Sequence, residues 1–125
     1  MSIRPLALKW FSEKYGPTED PIYTSKFYAP EESWTKREAW AIQVRKRRLE
    51  AGQAKDIHII LQKNKGSHDF HYLKVPTRFF LENQEGLFLR ENVGTFIIFL
   101  SAENANQFQD QRGKGKLNFS DFLVE

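Results

Sequence analysis

Residues 57–61 read Ile57-His58-Ile59-Ile60-Leu61 and residues 69–75 read Asp69-Phe70-His71-Tyr72-Leu73-Lys74-Val75, with Asn64-Lys65-Gly66-Ser67 between them. Two β-branched and aromatic runs of strand length, separated by turn residues, predict a β-hairpin. Downstream, Pro76 closes the second strand because it has no N–H for the ladder. Thr77 is then placed to cap a short helix over residues 78–83, whose Phe79, Phe80 and Leu81 reach the core. Residues 87–90 and 95–100 form a second strand pair around Glu91-Asn92-Val93-Gly94. Phe96-Ile97-Ile98-Phe99-Leu100 is apolar at every position, the pattern of a central strand covered on both faces. Residues 101–110 read as a short polar helix and residues 112–116 as a flexible basic loop. Phe119, Phe122 and Leu123 anchor the C-terminal segment.

Upstream of the hairpin the reading is two-sided. Thr35 and Glu38 have capping-box spacing, and Gly52 stands where a helix C-cap belongs. Against this, Trp40, Ile42 and Val44 alternate as in a strand. The balance favours a helix over residues 35–51. The alternative is a strand over residues 38–44 followed by a short basic turn. On a helix, Arg37, Arg45 and Arg48 fall within about 80° of one another and make a basic stripe. In the strand version the basic residues crowd one turn.

Residues 1–30 are punctuated by Gly16-Pro17, Asp20-Pro21 and Ala29-Pro30, yet carry Trp10, Phe11, Tyr15, Tyr23, Phe27 and Tyr28. They read as an irregular, aromatic-rich arm packed on the α+β core of residues 31–125. At 125 residues the chain has the length of a single domain. The expected class is α+β, a mostly antiparallel sheet of four to five strands with two to three short helices packed on it.

Charge is spread unevenly. Residues 1–35 carry −1, residues 36–55 carry +5 and residues 56–125 carry −1, so the net +3 arises from one basic segment centred on Arg45-Lys46-Arg47-Arg48. A local excess of this kind attracts a nucleic acid or another polyanion. The residues expected to make phosphate contacts are Arg37, Arg45, Lys46, Arg47 and Arg48, helped by Arg112, Lys114 and Lys116. Trp34-Thr35-Lys36-Arg37 and His71-Tyr72-Leu73-Lys74 place an aromatic beside cations, as base stacking requires. A solvated, charged surface is the plainer account of the same residues.

Enzyme signatures are sparse. With no cysteine, disulfides, thiolate zinc sites and thiol catalysis are excluded. Arg112-Gly113-Lys114-Gly115-Lys116 lacks the Ser or Thr that completes a phosphate-binding loop, because Leu117 follows. No acidic residue has Lys two positions later, which argues against a two-carboxylate-plus-lysine nuclease. The repeated Asp-x-His of Asp56/His58 and Asp69/His71 is the one pattern that suits a divalent metal, through a hydrolase whose ligands converge across the hairpin. An aromatic arm docking on a protein partner is the remaining alternative. No cofactor is implied and no apolar run approaches the ~18 residues of a membrane span. The first residues are too weakly apolar for a signal peptide, and with no cysteine a cytoplasmic location is expected.

Overall fold

The computed structural model describes residues 3–51 and 55–124. Along the chain run α1 (Arg4–Tyr15), β1 (Ile22–Ser25), β2 (Ala39–Arg45), α2 (Lys46–Glu50), β3 (Asp56–Gln62), β4 (Phe70–Pro76), α3 (Thr77–Glu82), β5 (Phe88–Arg90), β6 (Thr95–Ser101) and β7 (Leu123–Val124). The class is α+β. The strands form two sheets instead of one, ordered β1-β3-β4-β7 and β2-β6-β5. All pairings are antiparallel except β1 with β3.

The predicted hairpin forms, with Ile59 opposite Leu73 and Leu61 opposite His71. Its Ile57, Ile59, Leu61, Leu73 and Val75 face the second sheet, which contributes Trp40, Ile42, Val44, Phe96, Ile98 and Leu100 to one shared core. Leu49 of α2 and Phe80 of α3 join that core. β6 is the central strand of its sheet, as its uninterrupted apolar run requires.

Four expectations are corrected. Residues 35–51 are strand β2 and then the short helix α2, not one helix. As a strand, Trp40, Ile42 and Val44 all reach the core while Gln43 and Arg45 stay exposed, an arrangement no helix allows at that spacing. The proposed cap residue Gly52 lies outside the described residues. Residues 1–30 are not irregular: Pro5 sits in the first turn of α1, where a missing N–H costs nothing, and Gly16 ends the helix at φ 82°. Ala7 and Phe11 of α1 cover Ile60, Phe70 and Tyr72 on the face of the first sheet away from the core. Residues 101–110 hold only one 3-10 turn, Asn104–Asn106, because Ser101 Oγ donates to Asn106 Oδ1 (2.6 Å) and accepts from Glu103 N (3.1 Å), bonds that compete with a helix. Thr77 begins α3 without capping it.

The two sheets meet at Gln62, which is 5% exposed. Its carbonyl accepts from Trp40 Nε1 (2.7 Å), its Oε1 accepts from Phe27 N (2.9 Å) and its Nε2 donates to Ser67 O (3.0 Å). Beyond this seam, Ala41 N donates to Ser25 Oγ at 3.0 Å. No helix among the described residues is long and apolar enough to cross a membrane.

Trp40→Phe keeps a ring in the core but leaves the buried Gln62 carbonyl without its donor. Unfolding in urea should show a loss of roughly 1–3 kcal/mol. An unchanged midpoint would mean the seam does not depend on that bond.

Candidate functional site

Alternation along β6 that buries Phe96, Ile98 and Leu100 turns Thr95, Ile97 and Phe99 to the opposite, outer face of the second sheet. Register extends this face. Gln43, Ile97 and Phe88 form one row, and Arg45, Thr95 and Arg90 form the next. Arg45 and Arg90 therefore flank the central strand with their Cα atoms about 10 Å apart, from two inter-strand spacings. Both are exposed.

A loop from later in the chain completes the face. β5 pairs with residues 95–97 of β6, and residues 109–111 take over the same edge: Ser101 N donates to Gln109 O (2.9 Å) and Gln111 N to Phe99 O (2.7 Å). Asp110, fully buried, fixes the turn that follows. Its Oδ1 accepts from Phe99 N (3.2 Å) and Arg112 N (3.0 Å), and its Oδ2 accepts from Gly113 N (3.0 Å). Burial pushes this carboxyl above the ordinary aspartate value, while the three N–H donors pull against it. A side chain at Gly113 would run into the Gly86 carbonyl and the Asp110 carboxylate, so only glycine fits. Residues 112–116 are thus a packed loop and not the flexible one expected, with Gly115 N donating to Gly86 O at 3.0 Å.

The result is that Arg112 lies over the outer face. Its guanidinium carbon sits 4.1 Å from the Phe88 ring centre and 4.2 Å from that of Trp34, and Trp34 stacks on Phe99 at 5.3 Å and 21°. Trp34 comes from the 29–36 turn, held by Ser33 N to Ala29 O (3.0 Å) and Lys36 N to Ser33 O (3.1 Å). Beside this stack, Tyr23, Thr24, Tyr28, Gln43 and Phe99 line a groove of about 380 Å³.

The basic residues named from the sequence separate into groups. Arg45, Lys46 and Arg47 line a concavity of about 390 Å³ with Glu50, Val93 and Gly94 at the edge of the outer face. Arg90 was not expected and joins them only through the register. Arg112 joins them by its loop. Arg37 stands apart at the far end of β2, paired with Glu103 Oε1 at 3.3 Å. Arg48 is exposed on α2 outside the concavity. Lys114 is exposed, and Lys116 Nζ donates to Gln111 O at 3.2 Å. No ion pair joins Arg45, Lys46, Arg47, Arg90 or Arg112 to another described residue.

The Asp-x-His residues do not converge. His58 pairs with Lys74 and His71 with Leu61, three positions apart in register, so the two imidazoles point to opposite faces of the sheet. Asp56 faces Lys74 Nζ at 4.0 Å, and Asp69 is exposed at the hairpin turn. Among the described residues no three metal-ligating groups cluster. His58 instead belongs to a buried relay under α1: Nδ1 lies 2.6 Å from the Tyr72 hydroxyl and Nε2 lies 3.4 Å from Asp20 Oδ2. Burial first, then Tyr15, Asp56 and Asp20, push the Tyr72 phenol up to about 12. The phenol therefore keeps its proton, and its bond to Nδ1 runs in the direction that the imidazole tautomer sets. Phe11 packs on both rings. Phe11 thus seats α1 on these two rings, and no spacing in the sequence announced the arrangement. Comparison with protein-family models, curated proteins and solved structures gives no match.

Asp110→Ala leaves three backbone donors unmet and should destabilise by about 2–4 kcal/mol. Asp110→Asn, which keeps an acceptor for two of them, should cost less. Because the folded carboxyl titrates above its unfolded value, its stabilising contribution is full below the ordinary aspartate value and is lost as pH rises through the raised one. Urea titrations of wild type and Asp110→Asn should therefore diverge in favour of wild type as pH falls. A constant difference across pH contradicts the raised value.

Proposed function

We propose that this protein is a small binding module for nucleic acid or a comparable polyanion, acting in the cytoplasm as a cysteine-free chain would, and that the outer face of the second sheet is its binding surface. One observation supports this reading above the others. The Arg112 guanidinium is fixed between two rings on the same face as Arg45 and Arg90, and none of the three is matched by a carboxylate among the described residues. Gathering Arg45, Lys46 and Arg47 around a single acidic neighbour, Glu50, leaves a net positive edge whose self-repulsion an incoming anion relieves. Lys46 and Arg47 widen the basic edge, and Lys114, two residues after Arg112, is exposed.

The metal-dependent hydrolase is the weaker reading, since Asp56, His58, Asp69 and His71 lie apart. The N-terminal segment as a protein-docking arm is weaker too, since Ala7 and Phe11 are already buried against the first sheet.

Binding to mixed-sequence oligonucleotides should weaken linearly in log–log plots against salt. Arg45→Ala with Arg90→Ala should lower the single-strand slope by about 1.4, from two phosphate contacts at about 0.7 each. Arg37→Ala should leave affinity near wild type, because Arg37 is engaged by Glu103. No binding at low salt, or a double variant that binds like wild type, sinks the proposal.

A further inference from the structure

Resting on that reading, we infer that the ligand is single-stranded and that one of its bases stacks on Trp34. Trp34 is 60% exposed, the most exposed large hydrophobic among the described residues. The two faces of an indole make up most of its area, so a ring this exposed has one face open to solvent. Phe99 stacks against the ring at 5.3 Å and 21°, and the Arg112 guanidinium sits 4.2 Å from its centre. The turn carrying it is also fixed, with Thr35 N donating to Ser33 Oγ at 3.2 Å. An aromatic platform already held in place loses little freedom when a ligand lands on it.

The chemistry beneath the ring selects what lands above it. A cation 4.2 Å from the indole centre draws electron density toward the underside. The open face is then a poor seat for a second cation and a good one for a flat heterocycle. Bases in a duplex are stacked on one another and cannot reach such a platform, whereas unpaired bases can. Cations for the flanking phosphates are on the same face of the sheet: Arg112 against the ring, and the Arg45–Arg90 row about 13 Å along β6 from Phe99, four residues at ~3.3 Å each. Glu32, which shares an apolar hollow with Trp34, does not repel the strand unopposed. Lys26 (3.4 Å) and Lys65 (3.6 Å) engage it, and the Lys26 hydrogen bond, then the charge of both lysines, holds its carboxyl below the usual range.

Fluorescence anisotropy with a labelled oligodeoxythymidine and with a duplex of equal length tests this. Wild type should prefer the single strand. Trp34→Ala should weaken single-strand binding about tenfold, the size of one lost base stack, with salt slope and duplex affinity unchanged. Trp34→Phe should recover much of the loss, and circular dichroism should show both variants folded. Arg45→Gln with Arg90→Gln should weaken both probes and flatten the slope. Equal affinity for duplex and single strand, or a Trp34→Ala variant that binds like wild type, overturns the inference. If the double arginine variant still loses binding in that case, the polyanion reading stands without it. If neither probe binds at low salt, both readings fall. A proline-rich peptide bound through Trp34 in place of the oligonucleotide would reassign the surface to a protein partner.

Discussion

One buried carboxylate organises the face on which the functional reading depends. Asp110 accepts hydrogen bonds from the backbone of β6 and from the two residues that start the next turn, so it joins the central strand of the second sheet to the loop beside it. That loop leaves the sheet next to Phe88 and carries Arg112 over the ring. Together with Gly115 N on Gly86 O, this tie holds a five-residue stretch containing two glycines and three cations against the sheet edge. One charged side chain thus serves the structure, and a second, Arg112, is held against two rings with no carboxylate paired to it among the described residues. Burial makes this costly for Asp110, and three donors offset the cost.

The two sheets divide the work. The first is covered on both sides, by the second sheet and by α1, and its titratable groups are used internally: His58, Tyr72 and Asp20 close on one another beneath Phe11. The second sheet has a core side and an outer side on which no helix packs among the described residues. Its outer side is apolar near Phe99 and Trp34 and basic near Arg45 and Arg90. A surface graded from stacking rings to cations suits a ligand that alternates flat and anionic parts.

Much of this was legible in the residues. The β3–β4 hairpin and the β5–β6 pair follow from strand-length apolar runs around turn residues, signals that are local and unopposed. β2 was harder, because Thr35, Glu38 and Gly52 supply helix punctuation while Trp40, Ile42 and Val44 supply strand periodicity. Burial of three large side chains against β6 outweighs caps whose contribution is about 1 kcal/mol each. α1 was hidden by the Gly-Pro and X-Pro pairs that follow it, although Pro5 is compatible with a first turn. Trp34 and Arg112 were named separately as candidates, but their contact joins residues 78 positions apart and no pattern in the chain encodes it. Arg90 carried no signal at all, since its membership of the basic row depends on strand register.

The central claim is that the outer face of the second sheet is where a nucleic acid binds. A two-dimensional NMR titration with a short single-stranded oligonucleotide, following backbone amides, arginine Nε–H groups and the three indole N–H signals, tests it most directly. Trp34, Arg45, Arg90 and Arg112 should shift together while the indoles of Trp10 and Trp40 stay in place. Shifts gathered on α1 and the first sheet, with the Trp34 indole unmoved, would contradict it.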